Sequence, residues 1–345
     1  MFQDVLPEDL REMRASRGLV LVDVRSPSEF EEATIPGSLN IPLFDDAERA
    51  EIGTIYKQES PDAAKQRGLE IVSAKLPAFI RSFADLPGKK AVFCWRGGMR
   101  SKTTATVLSL MGIHAYRIAG GYRAYRRWVV ETLETYEIRV PVYVLHGNTG
   151  TGKTSILRAL KQQGYPVLDL EGLAAHRGSI FGQIGLRGHN QKTFDSLLLE
   201  ELIRYEGASY LIIEAESRRI GKVVLPDFLI RKKEEGPHIW LEIPMGERVR
   251  YILEDYRPWK HREACMAAFS HIKSRIHTPI AREIEDCLKT ERYEIAVEML
   301  LKHYYDPRYA YSSEGYESEP GTVLRAQTVE EAVQNMKRLL PDPKR

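Results

Sequence analysis

The chain has 345 residues, 43% hydrophobic and 28% charged, with a formal net charge of +2; that length accommodates two ordinary domains, each able to bury its own core. No apolar run approaches the roughly 20 residues that span a bilayer, and the start MFQDVLPEDLREMR lacks a signal core or transit-peptide bias, so a cytoplasmic protein is expected. Charge is uneven: residues 1–60 carry 13 acidic and 6 basic side chains, whereas residues 87–139 carry 3 and 10, a basic stretch that suits a polyanion or is simply a solvated surface.

In chain order, Leu19–Val24 is a short apolar run of the kind found in buried parallel strands. Ser26-Pro27-Ser28-Glu29 then spells a capping box with proline at the first helical position. A long polar insert, Asp45–Leu86, reads as helical. Ala91–Cys94 is a second buried strand, Ser101–Met111 a helix closed by Gly112, and Ala115–Ile118 another strand. Trp128–Arg139 is expected to be a connecting helix.

A second α/β pattern starts at Val142–His146, with strands expected at Val167–Asp169, Tyr210–Glu214 and Ile239–Ile243. Residues 247–303 are helical in period, Asp306-Pro307 is expected to break them, and Thr328–Glu331 is a capping box before a last helix. The fold class is therefore α/β. A parallel-sheet domain over residues 1–130 and a linker over 131–140 precede a P-loop α/β domain over 141–345, whose C-terminal part is helical.

Gly147-Asn148-Thr149-Gly150-Thr151-Gly152-Lys153-Thr154 fits G-x-x-x-x-G-K-[ST] without a mismatch, between a buried strand and a helix. Its glycines let backbone amides cradle phosphate oxygens at a helix N-terminus. Lys153 would reach the terminal phosphate and Thr154 could hold Mg²⁺. The usual strand-end aspartate is replaced by Glu214 or Glu216, candidates for positioning metal or water, so a bound phosphate or diphosphate is implied while nucleotide hydrolysis is not assured.

Three cysteines, Cys94, Cys265 and Cys287, are too few and scattered for a disulfide framework or a CxxC metal site. Cys265 and Cys287 read as buried hydrophobes. Cys94 ends a strand and is followed by Trp95-Arg96-Gly97-Gly98-Met99-Arg100-Ser101, which leads into a helix. Turn amides, a helix N-terminus, Arg96 and Arg100 all favour a thiolate facing an anion-binding ring.

Leu21–Arg25, Ile35–Pro42, the Cys94 loop and Ala119–Tyr122 together resemble the ordered signatures of rhodanese domains over residues 5–130. The loop reads C-x₅-R rather than the commoner C-x₄-R, a spacing similar to cysteine phosphatases, and a wider ring suits a phosphate-sized group. Joined to a P-loop domain, it resembles the tRNA 2-selenouridine synthase family, with further likeness at His176–Ser179, Phe181-Gly182 and Glu214–Arg218.

That resemblance implies conversion of wobble 2-thiouridine in tRNA to 2-selenouridine through a geranylated intermediate. Its co-substrates are geranyl diphosphate and selenophosphate, Cys94 is the perselenide carrier, and selenophosphate synthase is a candidate partner. It needs an apolar groove for the geranyl chain, which the sequence does not locate. The segment Gly178–Gly188 reads as a flap over a site or as a surface loop. Candidate tRNA contacts are Arg123, Arg126, Arg127 and Trp128, with Arg257, Lys260 and Arg262. His271, His277 and His303 form no ligand set for a metal. Rival readings are a sulfurtransferase or cysteine phosphatase fused to a P-loop kinase, and a non-catalytic, nucleotide-controlled tRNA-binding protein.

Overall fold

The computed structural model describes residues 2–308 and 321–342. The chain divides into two compact units, residues 1–135 with 195–199 and residues 136–194 with 200–345.

The first unit holds strands β1 (Gln3–Val5), β2 (Val20–Asp23), β3 (Leu39–Asn40), β4 (Lys90–Phe93) and β5 (Ala115–Ile118). They form one parallel sheet in the order β1-β5-β4-β2-β3. The strands read from apolar runs are present, but β1 and β3 escape such a reading because they are short edge strands with little buried surface. Val22, Val24, Val92, Phe83 and Leu108 are completely buried in the core between sheet and helices. The capping box at Ser26 forms as expected, with Ser26 N donating to Glu29. The polar insert is two helices, Asp46–Gln58 and Pro61–Ala84.

The expected connecting helix is corrected: it spans Gly121–Glu134, and residues 135–141 are not helical. Tyr122, Tyr125, Val129 and Leu133 recur at helical spacing and are all buried, which draws the start back to Gly121. β-branched residues and Pro141 end it early.

In the second unit β6 (Val142–Gly147), β7 (Val167–Leu168), β8 (Leu211–Glu214), β11 (His238–Glu242) and β12 (Thr322–Arg325) form a parallel sheet ordered β12-β11-β6-β8-β7. A small antiparallel pair, β9 (Arg219–Ile220) and β10 (Val223–Val224), stands apart. Leu145, Ile156, Leu160, Ile212 and Met336 are fully buried between this sheet, the helix after the P-loop and the last helix. A separate apolar cluster, with Phe269, Ile284, Cys287 and Ala296, binds the helices of residues 262–305 together.

Two further expectations are corrected. Asp306-Pro307 does not break the helical region, because helical backbone continues through residue 308. A π-helical turn at Leu301–Tyr305 precedes Pro307, and a proline just after such an irregularity forfeits little hydrogen bonding. At the last helix, Thr328 accepts from Glu331 N, but the Glu331 carboxylate takes Gln327 N, so only half of the capping box is present.

Gly121 bears the tightest constraint in the first unit. Its φ is +62°, and an added Cβ would lie 2.1 Å from the Cys94 carbonyl oxygen and 2.4 Å from Gly97 N. Gly121→Ala is therefore expected to destabilise the first unit by about 2 kcal/mol or more, read as a lower thermal midpoint together with greater access of iodoacetamide to Cys94. An unchanged midpoint and unchanged access would show that the loop does not depend on this contact.

Candidate functional site

Cys94 follows the central strand β4 and is 3% exposed, at the base of a loop whose Trp95 and Met99 are 37% and 63% exposed. Its sulfur lies 3.2 Å from the Ser101 hydroxyl at the start of the next helix. The loop is pinned from below: Tyr122 N donates to the Cys94 carbonyl and Arg123 N to the Trp95 carbonyl, both at 2.9 Å. Gly97 has φ +63°, as the tight turn requires.

Of the two expected arginines, Arg96 is exposed and Arg100 is not a free charge. Glu29 grips both terminal nitrogens of the Arg100 guanidinium. Burial alone would raise the Glu29 pKa, but the hydrogen bond and charge from Arg100 outweigh it and hold it below its ordinary value. The single carboxylate thus serves the capping box and the loop arginine together.

Arg117 is a residue the sequence did not single out. It donates to the Gly97 carbonyl at 3.0 Å and is braced by Asp4, and its positive charge is close enough to interact with Cys94. Arg25 was likewise passed over. It is 2% exposed, pairs with fully buried Asp23 at 2.6 Å, and lies 4.5 Å from the Tyr122 ring and 6.0 Å from Trp95. Strand β1 brings Asp4 beside Arg117 across a register that spacing could not reveal.

The P-loop leaves β6 at Gly147 and enters a helix at Lys153. Lys153 Nζ donates to the Gly147 carbonyl at 2.6 Å, folding the ammonium back across the loop. Thr154 donates to Glu171 at 2.5 Å. Arg248, 5% exposed, donates to the Thr149 carbonyl and forms a two-pronged pair with Asp306, which also accepts from Asn148. Asp306 therefore steadies the phosphate loop, a role hidden by the 158 residues between it and Asn148.

Glu214 ends β8 next to β6 and is 1% exposed; one oxygen accepts from Glu171 N at 2.6 Å, and the other has no partner among the described residues. Burial, then the charge of Asp169, raises its pKa well above normal. Glu216 is 8% exposed. An added Cβ on Gly178 would lie within 2.6 Å of both Glu171 and Glu216, which places those carboxyls close together. Burial first and Glu216 second push the Glu171 carboxyl up to about 7. Thr154 and these carboxyls are hard oxygen donors of the type Mg²⁺ takes, although no group of three or more His, Cys, Asp or Glu among the described residues is set to hold a metal.

The P-loop lines one wall of a cavity that also includes Glu171, His176, Gly178, Ser179, Glu216 and Tyr256. The 178–188 segment is thus part of this wall, folded as successive turns with Ile184 buried. His176 is 8% exposed and wedged between Gly182 and Gly221. Next to this cavity runs an apolar groove among Phe181, Ile252, Pro258, Leu288, Val297 and Leu300. Thr149, Ser179, Ile252, Tyr256 and Tyr305 line both spaces, so the groove adjoins the phosphate cavity.

The candidate nucleic-acid contacts are scattered in character. Arg123 and Arg127 are exposed, but Arg126 is tied to Asp195 of the same unit at 2.5 Å, so its charge is spent within the fold. Trp128 is half-buried against Tyr125. Arg257 and Lys260 are exposed beside Trp259, whereas Arg262 pairs with Glu291 at 3.2 Å. No described helix is long and apolar enough to cross a membrane.

Comparison with known proteins agrees with this two-part layout. Residues 6–127 match the rhodanese-like domain, and residues 140–339 match the tRNA 2-selenouridine synthase AAA domain. A tRNA 2-selenouridine synthase of Cupriavidus necator is 32% identical over 335 residues, 87% of this chain and 90% of that protein. Those of Aeromonas salmonicida and Bdellovibrio bacteriovorus are 33% and 34% identical, over 84% and 74% of this chain and 86% and 68% of theirs. With both modules matched in order and relatives aligned along most of their length, the chain belongs to the tRNA 2-selenouridine synthase family.

Proposed function

We propose that this member of the family makes 2-selenouridine in two steps, alkylation of the thiouridine sulfur by geranyl diphosphate and replacement of the geranylthiol by selenium. The observation that carries the reading is the apolar groove adjoining the P-loop cavity. A nucleoside triphosphate has no apolar tail for such a groove, whereas a prenyl diphosphate has a head for one space and a tail for the other. Burial contributes about 0.8 kcal/mol per methylene-sized group, so a chain of about ten carbons is bound strongly.

In the first step the thiocarbonyl sulfur attacks the first carbon of the geranyl chain, the carbon–oxygen bond breaks, diphosphate departs and the base loses its N3 proton. Lys153 and the loop amides meet the charge that builds on the leaving group. Thr154 with Glu171 would hold Mg²⁺, which would add a further positive charge there.

In the second step the Cys94 thiolate attacks the phosphorus of selenophosphate, the P–Se bond breaks and hydroselenide is released; the hydroselenide bonds to C2 of the base, the geranylthiol leaves, and water hydrolyses the cysteinyl thiophosphate to phosphate and the free thiol. Arg96, Arg117 and the helix start at Met99 attract the donor's oxyanion. Exposed Trp95 offers the unstacked base a ring beside the sulfur.

Separable active groups make the reading testable by mass spectrometry of tRNA. Lys153→Ala is expected to cut geranylation by about a hundredfold or more while Cys94 still releases hydroselenide from selenophosphate. Cys94→Ser is expected to geranylate normally and to accumulate the alkylated base. Full geranylation by Lys153→Ala would remove the diphosphate assignment.

Glu171 makes binding of a polyanion depend on pH. Its carboxyl, raised to about 7, is largely neutral below that pH and repels phosphate above it. Calorimetry with inorganic diphosphate and no divalent cation should show affinity falling from about pH 6 to about pH 8, more steeply in the native protein than in Glu171→Gln. Equal slopes would place the Glu171 carboxyl outside the binding site's field.

A further inference from the structure

We propose that Cys265, Leu288 and Tyr293 form an inner wall that sets how long a prenyl tail the groove accepts. The proposal rests on the reading of the P-loop as a diphosphate cradle.

The three side chains come from three successive helices, Arg262–Ser270, Thr278–Lys289 and Tyr293–Leu300. All line the groove and none lines the phosphate cavity, whereas Ile252, Tyr256 and Tyr305 line both. A tail whose head sits on the P-loop therefore passes Ile252, Tyr256 and Tyr305 before the residues that line the groove alone, Cys265, Leu288 and Tyr293 among them. The wall is closed to water: the three residues are 5%, 4% and 8% exposed. Leu288 and Tyr293 belong to the apolar cluster that holds the helices together.

The wall is also chemically suited to hydrocarbon. Burial pushes the Cys265 thiol up to about 11, so it stays neutral and behaves as a small hydrophobe. The Tyr293 hydroxyl is buried without a partner among the described residues, so no hydrogen bond draws the ring away from the groove. A close-packed wall of this type does not yield to a longer tail without displacing helices, and a shorter tail leaves unfilled space. Length selection follows from both penalties.

The test is competition among equal amounts of dimethylallyl, geranyl and farnesyl diphosphates for thiolated tRNA, with the alkylated products weighed by mass spectrometry. Cys265→Phe should fill the inner end and shift the product ratio toward dimethylallyl by about tenfold or more, and Leu288→Ala should shift it toward farnesyl; a methylene-sized misfit in an apolar pocket is worth about 10- to 200-fold. Cys265→Met is a milder filling change should the phenylalanine unfold the helices, and retained affinity for inorganic diphosphate certifies the fold of each variant. Product ratios unchanged from the native enzyme in variants that bind diphosphate and alkylate would overturn the wall assignment. Failure of the native enzyme to alkylate with any of the three would instead overturn the diphosphate reading beneath it.

Discussion

A phosphate-bearing substrate brings negative charge into its site, and that charge must be met by donors already in place. Each unit meets the demand with the same local geometry. A glycine-bearing loop leaves the C-terminal end of the middle strand of a five-stranded parallel sheet and runs directly into a helix N-terminus. Strand β4 ends at Phe93, just before Cys94, so the first loop carries a thiol; strand β6 ends at Gly147, and the second loop carries Lys153. The strand supplies rigidity, the glycines supply close backbone approach, and the helix supplies a partial positive charge.

Neither loop is held by its own residues alone. Arg248 and Asp306 brace Thr149 and Asn148, while Arg117 and Asp4 brace Gly97. Beneath the cysteine loop, the Arg25–Asp23 pair is almost wholly buried. Removing one partner of such a pair strands a charge in a low-dielectric interior, typically at about 3–5 kcal/mol. Preorganisation of this sort keeps each anion site open before its ligand arrives, at the expense of buried charge that must stay paired. Glu171 and Glu214 are the counterpart: carboxyls crowded out of water favour protonated forms, which softens their repulsion of a phosphate.

What could be read from the sequence was whatever is local. The P-loop, the cysteine loop, the capping box at Ser26 and the buried strands all announce themselves within a few residues. What could not be read depends on pairing across long separations. Strands β1 and β12 are edge strands of three and four residues, recognisable only once their neighbours are in place. Asp306 looked like the end of a helix and proves to be a support for the phosphate loop, because its partners lie 58 and 158 residues away. Arg126 looked available to nucleic acid and is consumed by Asp195. The groove is assembled from residues 252–305 plus Thr149, Ser179 and Phe181, with no continuous apolar signature to mark it.

In the proposed reaction two phosphate-bearing co-substrates act in sequence on one thiolated base. The most direct measurement is the mass of thiolated tRNA after incubation with geranyl diphosphate alone, selenophosphate alone, and both together. A two-step reaction gives a geranyl adduct with the first, no change with the second, and replacement of sulfur by selenium only with both. Selenium incorporation at full rate from selenophosphate alone would contradict it.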